Sequence, residues 1–270
     1  MVDIERLKDI IIQAADQELV PRFAATERGE KLDGSVITEA DTAMQSRLRT
    51  DLAKYWPDIS LLGEEMDEAT QRSLLCNDAA SLWCVDPLDG TSNFAAGIPF
   101  FSVSVALLEK GRPAVGIVYD PMRRECFWAA TGQGAWCNDT RLTTAGLDLA
   151  LSQAIALVDF KRLNGPLARR IAEQRPYSSQ RSFGSVALDW CWIAAGRGHV
   201  YVHGKQRIWD YAAGSLILTE AGGHSVTLEG EAVYVPDITP RSAVAALDAQ
   251  LFNEWCAWLT KPLGIADTLP

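Results

Sequence analysis

Asp86-Pro87-Leu88-Asp89-Gly90-Thr91 sets two carboxylates three residues apart, directly after the apolar run Leu82 to Val85. Pro87 fixes one backbone dihedral and Gly90 permits an unusual one, so a turn here can aim both carboxylates and the Leu88 carbonyl at one point. Hard oxygen donors gathered in that way suit Mg²⁺. The competing account is a turn that uses Asp and Gly for their conformations alone. Gly63-Glu64-Glu65, after Ile59, Leu61 and Leu62, is a second place where acids close a β-prone run; taken alone, it reads more readily as a solvated turn. A third is Trp209-Asp210-Tyr211-Ala212-Ala213-Gly214, which opens a helix with Asp210 at or near its N-cap. An Asp also stands there simply to bind free backbone N–H groups.

The elements that must carry these acids follow from hydrophobic periodicity. Ile4, Leu7, Ile11, Ala14 and Ala15 recur at three- and four-residue steps and predict a helix over residues 3–20. Thr38 and Asp41 form a capping pair for a second helix, with Met44, Leu48, Leu52 and Tyr55 as one stripe and Pro57 as its stop. Between the two, residues 29–36 with Asp33, Gly34 and Ser35 predict a turn or hairpin tip. From Leu82 the period shortens. The runs at 82–85, 100–108, 114–119 and 125–129, separated by Gly, Pro and Asn/Asp turns, predict an antiparallel meander. After residue 150 strands and helices alternate: strands at 154–158, 199–202, 224–228 and 243–246, helices at 166–173, 185–195, 210–221 and 248–259. The chain therefore divides into an α+β half, 1–150, with most of the candidate ligands, and an α/β half, 151–270, with Asp210. With no linker of low complexity between them, the halves are expected to pack closely as one functional unit.

Composition narrows the partners. A chain of 270 residues, 48% apolar and 22% charged with mean hydropathy −0.02, has ample core for a globular fold without disulfides or structural zinc. The formal net charge of −10 is a poor match to a nucleic-acid backbone. Six cysteines without a CxxC pair, a charged N-terminus and no apolar run of about 18 residues predict a reduced cytoplasmic protein with no membrane span. The nine tryptophans are read as packing residues; the strip with Trp128 and Trp136 is a candidate subunit contact.

In this order and at these separations, the three acidic motifs resemble the signature of the inositol monophosphatase family, magnesium-dependent and often lithium-sensitive phosphomonoesterases. Asp33 to Asp41 looks like that family's amino-terminal element and Phe183-Gly184-Ser185-Val186-Ala187 like its substrate-side segment, so the resemblance covers nearly the whole chain. It implies a layered αβαβα sandwich and roughly two or three Mg²⁺ ions per subunit. Glu64, Asp86 and the Leu88 carbonyl would hold one, Asp86, Asp89 and Asp210 another, and Glu64 a weaker third. Asp41 with Thr91 would orient the attacking water, and Glu64 or that pair would take its proton. Asp89, Gly90, Thr91, Gly184, Ser185, Val186, His203 and Asp210 would line the substrate. The family's members are often homodimers. Without cations, carboxylates about 4 Å apart repel by about 4 kcal/mol at an effective dielectric near 20, so such a cluster makes metal part of the fold's stability.

One position departs from the pattern. Family members acting on inositol phosphates usually carry a Glu seven residues before the Trp-Asp aspartate, and here that residue is His203. A neutral imidazole accepts one hydrogen bond where a carboxylate holds two vicinal hydroxyls. With Lys205 and Arg207 nearby, the rim suits a second anionic group, as in a 3′,5′-bisphosphorylated nucleotide or a sugar bisphosphate. The leading expectation is a phosphatase of a small polyol, sugar or nucleotide phosphate, inositol-1-phosphate phosphatase-like. The alternatives are a 3′(2′),5′-bisphosphate nucleotidase and a protein-interaction partner, since some bacterial relatives serve transcription machinery.

Overall fold

The Asp3 carboxylate accepts the Arg6 N–H at 3.1 Å and so starts α1 (Ile4–Glu18), which buries Leu7, Ile10, Ile11, Ala14 and Ala15 on one face. A short antiparallel pair follows, β1 (Gly29–Glu30) with β2 (Val36–Ile37). The computed structural model describes residues 2–23, 29–30, 36–76, 81–144 and 149–261; the expected turn tip with Asp33, Gly34 and Ser35 lies outside them. At the head of α2 (Glu39–Tyr55) the Thr38 N–H and hydroxyl both donate to Asp41, at 2.7 and 2.6 Å. Met44, Leu48 and Leu52 form the buried stripe, but Tyr55 is 42% exposed, so the stripe ends a turn earlier than its spacing predicts.

The meander forms a seven-stranded sheet: β3 (Ser60–Gly63), then, past α3 (Glu68–Leu75), β4 (Leu82–Asp89), then, past α4 (Thr91–Ala96), β5 (Ser102–Glu109), β6 (Arg112–Asp120), β7 (Glu125–Ala130), β8 (Ala135–Cys137) and β9 (Thr140–Leu142). These strands lie side by side in chain order; β3 runs parallel to β4 and the other neighbours are antiparallel. Beyond them come β10 (Ile155–Asp159), α5 (Gly165–Gln174), β11 (Ser179–Arg181), α6 (Val186–Ala194), β12 (Val200–Gln206), α7 (Ile208–Glu220), β13 (His224–Val226), β14 (Arg241–Ala246) and α8 (Ala249–Thr260). Their strands make a second sheet in the order β11-β10-β12-β14-β13.

Side-chain alternation along the strands assigns the layers. Trp83, Val85, Val103, Val105, Leu107, Ile117 and Tyr119 pack on α1 and α2. Their neighbours Cys84, Ala106, Leu108 and Val118 face the other way, onto α6 and α7. In the second sheet Leu157, Tyr201, Ala243 and Ala245 meet the same two helices, while Ala156, Val158, Val200, Val202, Val244 and Ala246 pack with Leu167 and Ile171 of α5 and Leu251, Trp255 and Leu259 of α8. The result is the αβαβα sandwich that the motifs implied. The middle helices are sealed between two sheets, so they are apolar on nearly every side.

One expectation needs correction. The motif Asp86 to Asp89 predicts a turn after a strand end, yet β4 runs on to Asp89, with a register shift between Asp86 and Asp89 that acts as a β-bulge. Asp210 stands near the N-cap of α7: Arg207 holds the cap itself, and Asp210 reaches back from the first turn to the Arg207 N–H at 2.7 Å.

The contact that seats α7 on the first sheet is glycine-dependent. A Cβ at Gly116 of β6 would stand 2.8–3.2 Å from the backbone of Ala213. Gly116→Ala is therefore expected to lift α7 and lower stability by about 1–3 kcal/mol, read as a fall of roughly 2–10 °C in Tm. An unchanged Tm would show that the helix does not rest there.

Candidate active site

The bulge of β4 sends Asp86 and Asp89 to different partners. Asp86, 2% exposed, accepts the Leu88 N–H through Oδ1 at 3.0 Å. Asp89 sits at the start of α6, where it accepts the Val186 N–H at 3.1 Å, the Ala187 N–H at 2.8 Å and the Ser185 hydroxyl. The free N–H groups of a helix start carry partial positive charge, so α6 holds a carboxylate there without any cationic side chain. Burial pushes the Asp89 acid up, the bonds from Ser185, Ala187 and Val186 pull it back, and it settles at about 6.

Glu64 and Asp210 arrive from either side of β4. The Glu64 N–H donates to the Val85 carbonyl at 3.2 Å, which extends the β3–β4 pairing to the residue before Asp86. Gln71 donates to the Gly63 and Glu64 carbonyls at 3.0 and 3.2 Å, and Gln45 accepts the Glu65 N–H at 3.1 Å. A Cβ at Gly63 would lie 2.1 Å from that Gln45 oxygen, so a glycine leads this pair of acids. On the other side Ser104, opposite Asp86 on β5, donates its hydroxyl to the Trp209 carbonyl at 3.0 Å and ties the head of α7 to the sheet.

The charge of Glu64 reaches all three aspartates. Burial lifts the Asp86 acid well above the ordinary 3.8, and the charges of Glu64, Asp89 and Asp210 lift it further. Asp210 is raised by burial, then by Asp89 and Glu64, against an opposing pull from Arg207. Among the described residues no three His, Cys, Asp or Glu side chains close on one point as a finished metal site. In chemistry the set fits a hard divalent cation: the donors are all oxygens, and none of the leading influences on Asp86 is a positive charge.

Asp41 and Thr91 adjoin this group. Asp41, 1% exposed, uses Oδ2 for Thr38 and Oδ1 for the Thr91 hydroxyl, 3.0 Å away. That hydroxyl is also 3.0 Å from the Leu88 carbonyl, and its single proton serves one acceptor at a time. Burial raises the Asp41 acid, the Thr38 and Thr91 bonds lower it, and Glu64 adds a smaller rise; the net direction is up. Gly90, at φ +94°, starts α4 where a Cβ would crowd the Phe100 and Gly184 carbonyls at 3.1 and 3.3 Å. Asn93 clamps the same two segments by donating to Phe100 and Phe183 at 2.8 and 2.6 Å.

Of the expected substrate-side residues, Gly184 lies beside Gly90, while Ser185 and Val186 bond to Asp89 and so position that acid. His203 departs from the expected rim role. It is 2% exposed, its Nδ1 accepts the Lys205 N–H at 3.2 Å and its Nε2 lies 3.2 Å from the Asp159 carboxylate, so neither ring nitrogen is left to accept from a sugar hydroxyl. Asp159 was missed in the sequence, although it closes the apolar run 155–158 as Asp86 closes 82–85. Asp189, inside the apolar α6, was missed as well. It is 6% exposed, its Oδ1 has no hydrogen-bond partner among the described residues, and burial with the charges of Asp89 and Asp159 pushes its acid well up.

Known proteins resemble the chain in sequence and in fold. Over 197 residues the chain is 39% identical to a protein named Nus factor SuhB from Pasteurella multocida, covering 72% of each. It is 37% identical over 199 residues to an inositol-1-monophosphatase of Rhizobium meliloti, covering 72% of this chain and 73% of the relative. The crystal structure of extragenic suppressor protein suhB from Bartonella henselae superposes with a TM-score of 0.82 at 29% identity, over 96% of this chain and 99% of that one. The model of the inositol monophosphatase family matches residues 2–259, and with the acidic motifs held on one sandwich as described, the chain belongs to that family.

Proposed function

We propose that the chain is a Mg²⁺-dependent phosphomonoesterase that hydrolyses a small polyol, sugar or nucleotide phosphate, inositol-1-phosphate phosphatase-like, by attack of water on phosphorus. Membership of a phosphatase family supports the reaction class. The observation that carries the metal dependence is the gathering of Glu64, Asp86, Asp89 and Asp210, in which burial, with the charge of Glu64, raises the acids of the three aspartates. With the Leu88 carbonyl these residues would hold the cations, roughly two or three per subunit. When bound, the cations would neutralise the ester and lower the pKa of water.

The chain's own groups supply the rest. Asp41, fixed by Thr38, orients the Thr91 hydroxyl, and that hydroxyl directs the water toward phosphorus. Glu64 or the Asp41–Thr91 pair accepts the water's proton. The Gly90 and Thr91 N–H groups receive phosphate oxygens. We place the enzyme in the cytoplasm, in keeping with six cysteines without a CxxC pair, and as a homodimer, as the family resemblance implies; no helix among the described residues is long and apolar enough to cross a membrane. The relative named a Nus factor supports a second reading, in which this same protein also engages a protein partner.

Phosphate release from inositol-1-phosphate, fructose-1,6-bisphosphate, adenosine 3′,5′-bisphosphate and histidinol phosphate tests the activity; no Mg²⁺-dependent release from any of them counts against it. Thr91→Ala is expected to lower kcat about 100-fold or more while leaving the Mg²⁺ requirement within about twofold, because an orienting hydroxyl acts on the transition state. An unchanged kcat removes Thr91 from the mechanism.

Asp86→Asn separates the metal role from folding. The variant should release no phosphate and show no rise in Tm with Mg²⁺, yet in EDTA at pH 8 it should melt no lower than the parent. The pH dependence has a fixed sign. Acids raised in the folded state, such as Asp89 at about 6 against 3.8, favour the metal-free fold fully below 3.8, and that favour is lost as pH rises through about 6. Mg²⁺ should therefore raise Tm more at pH 8 than at pH 5. An equal shift at both pH values argues against ligation by these acids.

His203→Glu tests the specificity question. A Glu at that position would face Asp159 in the interior, so the substitution is expected to lower Tm by roughly 5–10 °C with no gain in kcat/KM for inositol-1-phosphate. A gain would show that residue 203 faces the substrate.

A further inference from the structure

At the carboxyl ends of β10 and β12, the end of the sheet from which the chain passes to Asp210, lies a cleft of about 600 Å³. Its charge is opposite in sign to the carboxylate cluster. Lys161 and Arg162 line it from the turn after β10, Lys205 from β12 and Arg241 from β14, with Glu229 as the one acid among the lining residues. In a chain of net charge −10 this is a local reversal. Lys161, Arg162 and Lys205 are exposed, and among the described residues none of them forms a salt bridge. Arg241 is paired with Glu231 at 2.9 Å, and Glu229 is engaged by the Ser242 hydroxyl at 3.1 Å.

The cationic side chains are held together by the backbone. A Cβ at Gly204 would fall 1.8 Å from the Arg162 carbonyl oxygen, so the glycine lets the β12 segment lie directly against the turn that carries Lys161 and Arg162. Asn164, also in the lining, caps α5 by accepting the Leu167 N–H at 2.9 Å, which aims the positive end of a ten-residue helix at the cleft's margin. Clefts of this volume take small molecules, and clustered Lys and Arg with a helix start suit a phosphate. In the chain, Lys205 of the lining stands five residues before Asp210, and Asp159, whose charged form Lys161 and Arg162 favour, closes β10 opposite His203.

We propose that this cleft binds the phosphate of a small molecule at a place separate from the carboxylates. Two sources share that chemistry: the distal phosphate of a bisphosphorylated substrate, or a phosphorylated effector bound on its own. The substrate form rests on the phosphatase reading above; binding itself does not.

Calorimetric titration of the full chain with adenosine 3′,5′-bisphosphate in EDTA tests the binding. Without metal the carboxylates repel an anion, so the heat comes from the cleft. Binding is expected, weakening with added salt, and the double variant Lys161→Ala/Lys205→Ala should bind about tenfold or more weakly with an unchanged Tm. No binding by the parent, or equal binding by parent and variant, overturns the proposal. Phosphate release in Mg²⁺ then assigns the source. A fall in kcat/KM for the bisphosphate alone, with inositol-1-phosphate within about twofold, identifies the distal phosphate of a substrate. Weakened binding with kcat/KM unchanged for both identifies a separate effector. An equal fall for both overturns a separate site. If the parent releases phosphate from neither compound, the phosphatase reading fails and the titration still decides the cleft.

Discussion

Repulsion among gathered carboxylates is the constraint around which this molecule is arranged. Glu64, Asp86, Asp89 and Asp210 come from three separate stretches of chain, and the charge of Glu64 raises all three aspartates on top of their burial. Arg207 offers Asp210 its backbone N–H and a modest charge. Backbone dipoles do the holding. Asp89 lies on the N–H groups that open α6, Asp210 sits in the first turn of α7, and Asp41 in the first turn of α2. A helix start stabilises an anion by a fraction of a kcal/mol to about 2 kcal/mol, enough to keep each acid in position and too little to neutralise it. The residual negative field is what a divalent cation would satisfy.

That use of helix starts explains the layering. α6 and α7 run between two sheets, which holds their first turns against β4 and β5, where Asp89 bonds to the start of α6 and Ser104 to the Trp209 carbonyl. Close seating is needed, and small residues supply it: Gly116 under Ala213, and Gly214, where a Cβ would stand 2.5 Å from the Trp190 Cβ. The three apolar clusters on either side of the sheets carry the stability that the carboxylates subtract. The same physics sets the two polar regions apart. Where the interior is acidic the protein uses neutral N–H donors, and where it is basic, at the cleft of Lys161, Arg162 and Lys205, the charged groups stay exposed to water.

Legibility in the sequence followed the range of the forces involved. The periodic segments were readable because burial on one face writes itself into spacing, as in Leu7, Ile11, Ala14 of α1 or Val103, Val105, Leu107 of β5. The short β8, β9 and β11, three residues each, carry no period and were not seen. The bulge at Asp86 to Asp89 depends on pairing with Ser104 and Ser102, so Pro87 and Gly90 suggested a turn where the strand in fact continues. The order of the acidic motifs pointed to their family, but what each acid bonds to was not in the motif. Asp89 finds its donors in Ser185, Val186 and Ala187, nearly a hundred residues away. His203 was the clearest case. Its distance from Asp210 in sequence suggested the rim, and its pairing with Asp159 across neighbouring strands was visible only in three dimensions.

The His203–Asp159 pair also bears on how the acidic and basic regions coexist so close together. Burial alone would raise the Asp159 acid, but the His203 bond and the charges of His203, Lys161 and Arg162 outweigh it, and the net direction is down. Asp159 is therefore favoured in its charged form by His203 and by the cations beside it. A Glu in place of His203 would join the acidic side and leave Asp159 with only the exposed Lys161 and Arg162. The imidazole draws the boundary instead, because it fills the interior beside Tyr201 without adding negative charge. On this argument the departure from the inositol-type Glu is tied to the basic cleft behind it: a chain that keeps Lys161 and Arg162 available to an outside anion needs a residue other than those two to face Asp159.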